Sequence, residues 1–127
     1  MTAPVWMNAV IGEFGRAAGA NAFALNDRGA AQLRFENGAT LNLEYTGSEL
    51  VVAVTVPVHG GLDMLKRLLS HSHPAAHDGM RVRTGLLEKS GSYVAAVRTA
   101  ERDVTLPHLN AAFALLWRIA GEIGGVA

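Results

Sequence analysis

Three histidines crowd one short stretch, His71-Ser72-His73-Pro74-Ala75-Ala76-His77-Asp78-Gly79, and form the one cluster in the chain that suggests a metal. Neutral imidazole is a good zinc ligand, and Asp78 would add an oxygen. His-x-His, however, is a strand-type spacing, and Pro74 stiffens the chain between the ligands. No helical His-Glu-x-x-His frame holds them. The composition is that of a loop. A solvated loop is the favoured reading, and a small metal- or ligand-binding enzyme using His71–His77 is the alternative. No metal and no cofactor is expected.

Other chemistry finds less support. Ser48, Ser70, Ser72, Ser90 and Ser92 fall in turns or loops, and none sits in a Gly-x-Ser-x-Gly elbow. Gly60-Gly61 and Gly124-Gly125 lack both a phosphate-loop lysine and a strand–Gly-x-Gly-x-x-Gly–helix frame, and read as hinge and cap. Glu36, Glu44 and Glu49 occupy turns or exposed strand positions, with no apolar pocket to raise a carboxyl pKa. No catalytic residue is expected, and the chain reads as a non-enzyme. Arg81, Arg83, Arg98 and Arg102 could form a basic strip. It is small, and Tyr93 is the one aromatic near it, so a solvated sheet face or polar rim is preferred to a nucleic-acid site.

The elements that must position these residues are legible from periodicity. Pro4 to Ala18 predicts a helix, with Thr2 or Ala3 at its cap, Pro4 near the first turn and Gly19 as the stop. Its stripe is Trp6, Ala9, Val10, Phe14 and Ala17, while Gly12 and Gly15 would let another backbone approach closely. After a turn at Asn26-Asp27-Arg28-Gly29 come three antiparallel strands within Ala31–Val56. Leu33 and Phe35, then Leu41, Leu43 and Tyr45, alternate with polar residues, as strands with one buried face do. Asn37-Gly38 predicts a two-residue hairpin turn with positive φ, and Thr46-Gly47-Ser48 the next. Leu50-Val51-Val52-Ala53-Val54 is apolar on both sides and needs cover on both, from a helix, a second subunit or a ligand chain. Pro57 ends it.

A short helix is expected from Leu62 to about Ser70, held by its leucines. A second hairpin runs Arg81–Leu87 and Tyr93–Thr99 around Lys89-Ser90-Gly91-Ser92, with Val82, Thr84 and Leu86 on one face and Arg81 and Arg83 on the other. A closing helix spans about Pro107 to Ile123, capped near Thr105. Its stripe is Leu109, Phe113, Leu116, Trp117 and Ala120, widened by Leu115 and Ile119. Helix, three strands, helix, two strands, helix: the fold class is α+β, with residues 1–127 as one domain.

Composition bounds the partners. Half of the 127 residues are hydrophobic and 17% are charged, and eleven Lys plus Arg balance eleven Asp plus Glu. A nucleic-acid binder would show a clustered basic excess. Near-zero charge with high apolar content handicaps solubility unless a patch is buried in a partner. There is no cysteine, so disulfide and thiolate chemistry are excluded and a cytosolic home is compatible. The first nineteen residues lack a basic leader region, so no signal peptide is expected, and no apolar run approaches the ~20 residues needed to span a bilayer. Three apolar helices and a two-faced strand exceed what one sheet can bury. The surplus reads as binding or dimer surface.

With that order in place, the chain resembles a class I type III secretion chaperone of the Tir-chaperone type. The carriers are Phe14-Gly15-Arg16-Ala17-Ala18-Gly19 at the end of the first helix, the meander LRFENGATLNLEYTGSELVVAVTV, the segment GLDMLKRLLSHSH, the second hairpin, and LPHLNAAFALLWRIAGEI with its late Trp. The resemblance implies a cytoplasmic bacterial homodimer that binds the extended N-terminal segment of a secreted effector. It would keep that segment soluble and export-competent without hydrolysing nucleotide. It implies effector contacts from Val10, Phe14, Leu33, Phe35, Leu41 and Leu43, for each of which core packing is the competing role. It also implies a dimer interface near Leu65, Leu69, Val82, Thr84 and Leu86. Neither nucleic acid nor membrane insertion is implied. The chain departs from the family in charge: members are usually acidic, this chain is neutral, and its closing helix carries only Arg118 and Glu122 as charged residues. That leaves room for a different client, for a heterodimeric chaperone subunit, or for a structural subunit of the same fold without an export role.

Overall fold

The computed structural model describes residues 2–57, 76–77, 80–87 and 91–124. The elements are α1 (Val5–Ala17), β1 (Ala30–Arg34), β2 (Thr40–Tyr45), β3 (Glu49–Pro57), β4 (Ala76–His77), β5 (Met80–Leu87), β6 (Ser92–Ala100), a 3-10 turn (Glu101–Asp103) and α2 (Leu106–Gly124). The strands form one antiparallel sheet in the order β1-β2-β3-β6-β5-β4. Helices and strands are segregated, so the class is α+β. The expected helix over Leu62–Ser70 lies outside the described residues, as do His71 and His73. His77, expected in a loop, is on β4 opposite Met80.

α1 has Pro4 as its N-cap residue, one position later than expected, and no side chain bonds its first amides. Its C-terminus is closed by a reciprocal pair: the Ala20 amide donates to the Gly15 carbonyl (2.7 Å) and the Gly19 amide to Arg16 (3.1 Å). Gly19 takes φ +92° to do so. Gly15 has a second duty. A Cβ there would come within 2.4 Å of the Phe23 Cβ, so the loop after α1 lies directly on the helix. Asn8 secures that loop by accepting the Leu25 amide at 3.0 Å.

The buried stripe of α1 is Met7, Ile11 and Phe14, not the expected Trp6, Ala9, Val10, Phe14 and Ala17. Both sets obey helical spacing and share Phe14. Aliphatic Met and Ile bury completely more readily than Trp, and the helix has turned about one residue to favour them. Ala9 and Ala17 are exposed, and Trp6 is 44% exposed.

Asn26 organises the turn into β1, its side-chain oxygen accepting the amides of Arg28 (2.9 Å) and Ala30 (3.1 Å). At the first hairpin the expected two-residue turn is replaced by a longer one. Gly38 alone has positive φ (+91°), the Gly38 amide bonds the Phe35 carbonyl, and the Phe35 amide bonds the Ala39 carbonyl. A turn followed by a left-handed glycine preserves the strand twist without forcing Asn37 to positive φ. α2 starts as expected: the Thr105 hydroxyl accepts the His108 amide at 3.3 Å.

One face of the sheet is covered by α1 and α2. Leu41, Leu43, Leu50, Val52, Val54, Val56, Val82, Tyr93, Ala95 and Val97 point into this core, against Leu109, Leu115, Leu116 and Ile119. Thr99, the one buried polar side chain among the described residues, is matched by His108 Nε2 at 2.9 Å. Beyond the end of β6, the Tyr45 hydroxyl lies within hydrogen-bond reach of the Glu101 carboxylate and the Gly47 carbonyl. That bond to Glu101, then burial, then the Glu101 charge raise the phenol's pKa.

Candidate functional site

The helix-covered half of the molecule does not close over all its aromatics. Phe113 and Trp117 stand four residues apart on α2, on the flank of the stripe whose centre is Leu109, Ala112, Leu116 and Ile119. Phe35, just beyond β1, reaches them from the hairpin turn. Its ring lies 6.0 Å from Phe113, nearly parallel, and 4.9 Å from Trp117. Phe113 and Trp117 are 5.6 Å apart, and Phe14 of α1 meets Phe113 edge-on at 5.8 Å. Such offset and edge contacts stabilise the cluster beyond simple area burial. Phe14 is buried, whereas Phe35, Phe113 and Trp117 remain half-buried.

The cluster continues along α1. Trp6, Val10 and Phe14 are spaced four residues apart and therefore form one ridge. Burial rises along it, from Trp6 at 44% exposed, through half-buried Val10, to Phe14 at 1%. Val5, beside Trp6, is 87% exposed. The result is an apolar stripe that begins in solvent on α1 and ends in the aromatic cluster.

β1 adds a second feature. Among the described residues it is the terminal strand on its side of the sheet, paired with β2 alone. Next to it is a cavity of about 390 Å³ lined by Asn26, Ala30, Ala31, Gln32, Asn42, Leu43 and Glu44. Across the open face Gln32 bonds Asn42 at 3.0 Å. An edge strand beside an apolar stripe offers main-chain pairing and side-chain pockets together.

The expected contact residues separate by depth. Val10, Leu33 and Phe35 are half-buried and reach the surface, while Phe14, Leu41 and Leu43 are at 1% exposure or less and serve the core. Of the expected dimer residues, Val82 is buried within the chain. Thr84 is half-buried, Leu86 is on β5 opposite Tyr93, and Leu65 and Leu69 lie outside the described residues. Sequence reasoning missed Val5 and placed Trp6, Phe113 and Trp117 in the helix stripes without singling them out as surface. A signal was present: Val5-Trp6-Met7 places three consecutive apolar residues in one helical turn, and a helix cannot bury all three on one side.

The covered face holds one polar anomaly. The hydroxyls of Tyr93 and Thr84, near each other on β6 and β5, are buried, and neither makes a well-formed hydrogen bond. Burial pushes the Tyr93 phenol up to about 12, eased by the nearby Thr84 hydroxyl. Among the described residues, no three His, Cys, Asp or Glu side chains are grouped to hold a metal.

This arrangement defines a protein whose working parts are surfaces: an apolar stripe and a free sheet edge on an α+β scaffold. Known structures share the scaffold. A chain of the HopA1–SchA chaperone–effector complex matches with a TM-score of 0.71 at 20% identity, covering 98% of this chain and 99% of that one. A chain from the complex of the Yersinia pestis type III secretion chaperone SycH with a stable fragment of YscM2 matches at 0.71 and 17%, covering 92% and 98%. A chain of the ExsC–ExsE complex matches at 0.73 and 19%, covering 94% and 92%. No curated protein sequence matches the chain. The family model of the type III secretory system chaperone SycN matches residues 6–124, and the chain belongs to that family. It is a type III secretion chaperone.

Proposed function

We propose that this chaperone works as a cytoplasmic homodimer in a bacterium, binding an extended N-terminal segment of a secreted effector and keeping it soluble and export-competent. It does so by burial and strand pairing, without catalysis. The observation that carries this reading is the graded apolar stripe from Trp6 through Val10 to Phe113, Phe35 and Trp117, lying on the fold shared with chains from chaperone–effector complexes. Apolar burial yields roughly 25 cal/mol per Å² before ordering costs, so a stripe of this kind can hold an unfolded segment that offers no rigid epitope. Leu33 at the sheet edge adds a further apolar contact. For the dimer, the part of the sheet around β5, the strand that carries Val82, Thr84 and Leu86, is the proposed contact, together with Leu65 and Leu69.

The test is co-expression with the secreted protein encoded beside this chain, followed by co-purification. Wild type captures the client. Trp6→Asp, at a position already in solvent, leaves thermal stability and circular dichroism unchanged and weakens capture by about tenfold or more, as loss of a central aromatic anchor does. Undiminished capture by Trp6→Asp and by Val10→Asp, both folded, would remove the stripe from the binding site.

A further inference from the structure

The face of the sheet turned away from the helices has its own chemistry. Its central columns are short: Val51, Ala53 and Thr55 on β3, Val94 and Ala96 on β6, and Gly85 on β5, all half-buried. Among the described residues, a Cβ at Gly85 would touch Val94 alone, at 3.7 Å, so the floor is shallow there. At one end of this floor is a cavity of about 320 Å³ lined by Val51, Ala96, Arg81, Arg83 and Arg98. All three arginines are exposed.

The charges there are not balanced from within. Arg98 takes Glu49, Nη1 to Oε1 at 2.9 Å, across an exposed pair. Glu44 lies beyond Val51 on β2. Arg81 and Arg83 have no carboxylate partner among the described residues. Arg83 faces Ala96 across β5 and β6, and Arg81, Arg83 and Arg98 line the same cavity. Three cations around one cavity with one carboxylate among them leave positive charge that a negatively charged neighbour would balance.

Resting on the reading of the chain as a client-binding chaperone, we propose that this open face docks an acidic, extended segment of the client. Arg81, Arg83 and Arg98 take its carboxylates, and the Val51–Ala96 floor takes the small apolar side chains between them. An extended chain repeats its side-chain direction every two residues, and so do Arg81 and Arg83 on β5, which matches carboxylates at alternate positions. Guanidinium suits this task because it offers paired donors to each carboxylate. The site is separate from the α1 stripe. It also lies on the opposite side of β5 from Val82.

Fluorescence anisotropy on the full chain tests it, using a labelled synthetic peptide with Glu at alternate positions and Val or Ser between, and the same peptide with Gln for Glu. The Glu peptide binds, binding weakens steeply with added salt, and the Gln peptide binds at least about tenfold more weakly. Arg81→Ala/Arg83→Ala loses about tenfold for the Glu peptide, whereas Arg16→Ala, at an exposed arginine on α1, leaves that affinity unchanged. Equal affinity of wild type for both peptides, or salt-independent binding, would overturn the proposal whether or not the arginine variant folds. Light scattering that shows a wild-type dimer broken by the arginine substitutions would also overturn it and assign the face to a second copy. Client capture that survives in Arg81→Ala/Arg83→Ala would defeat this inference and spare the stripe. Peptide binding by a wild type that captures no secreted protein would defeat the client reading instead.

Discussion

Along β3 two surfaces alternate residue by residue. Leu50, Val52, Val54 and Val56 have no exposure, whereas Val51, Ala53 and Thr55, only slightly smaller or more polar, stay half-buried. The same strand is a core element on one side and a platform on the other. The difference does not lie in the strand's own hydrophobicity. It comes from what lies over each face: α2 and α1 on the first, and no described helix on the second. A strand apolar on both sides therefore marks a surface with a use as readily as a buried centre, and the flanking residues tell which. Aromatic and branched residues surround the covered side. Arginines, Gln32, Asn42 and Glu44 surround the open one.

Substitutions on the two faces should expose this contrast. The largest effect is on the covered face. Leu116→Ala removes a fully buried side chain from the α2–sheet contact and is expected to cost about 2–5 kcal/mol in denaturant unfolding. Ala53→Ser on the open face should stay within about 0.5 kcal/mol. Comparable losses at both positions would mean that the open side is packed after all.

A second prediction concerns the polar anomaly within the covered face. The Tyr93 phenol ionises near 10 when unfolded and at about 12 when folded. The folded chain therefore holds that proton longer, and the associated stability is complete below pH 10. It is lost as pH rises towards 12, by an amount on the order of 2–3 kcal/mol. Tyr93→Phe removes its share of this alkaline loss, leaving that of Tyr45, whose pKa is also raised. It is also neutral or stabilising by about 1 kcal/mol near neutral pH, because the hydroxyl it deletes has no partner. Unfolding curves across that pH range, wild type against variant, check both statements.

The smallest effect belongs to the open face. Glu49→Gln breaks an exposed ion pair with Arg98 and should cost well under about 1 kcal/mol, vanishing at high salt. A larger, salt-resistant loss would show that the arginine group is held more tightly than its exposure indicates.

Much of this architecture was legible in the residues. Period-two alternation located β1, β2 and β5, and Pro57 and the turn glycines located strand ends. Gly15 announced a close approach, which the Phe23 side chain makes where a backbone was expected. What misled was the helix face. Trp6 and Met7, or Phe113 and Ala112, compete for the same stripe, and helical spacing alone cannot rank them. The aromatic cluster was illegible for a related reason: Phe35, Phe113 and Trp117 are brought together across a hairpin turn and a helix nearly eighty residues later in the chain. Their half-burial depends on where α2 crosses the sheet.

By itself, then, the order of residues determined the element types, the antiparallel meander, the capping turns and the family, because these depend on local periodicity, backbone conformational preference and residue class. Only the tertiary structure decided which of two apolar faces is core, that Leu41 and Leu43 lie beneath the surface while Trp6 and Phe35 reach it, and that Arg81 comes beside Arg98. Those outcomes depend on layer packing and strand register, which bring together residues that no local pattern connects.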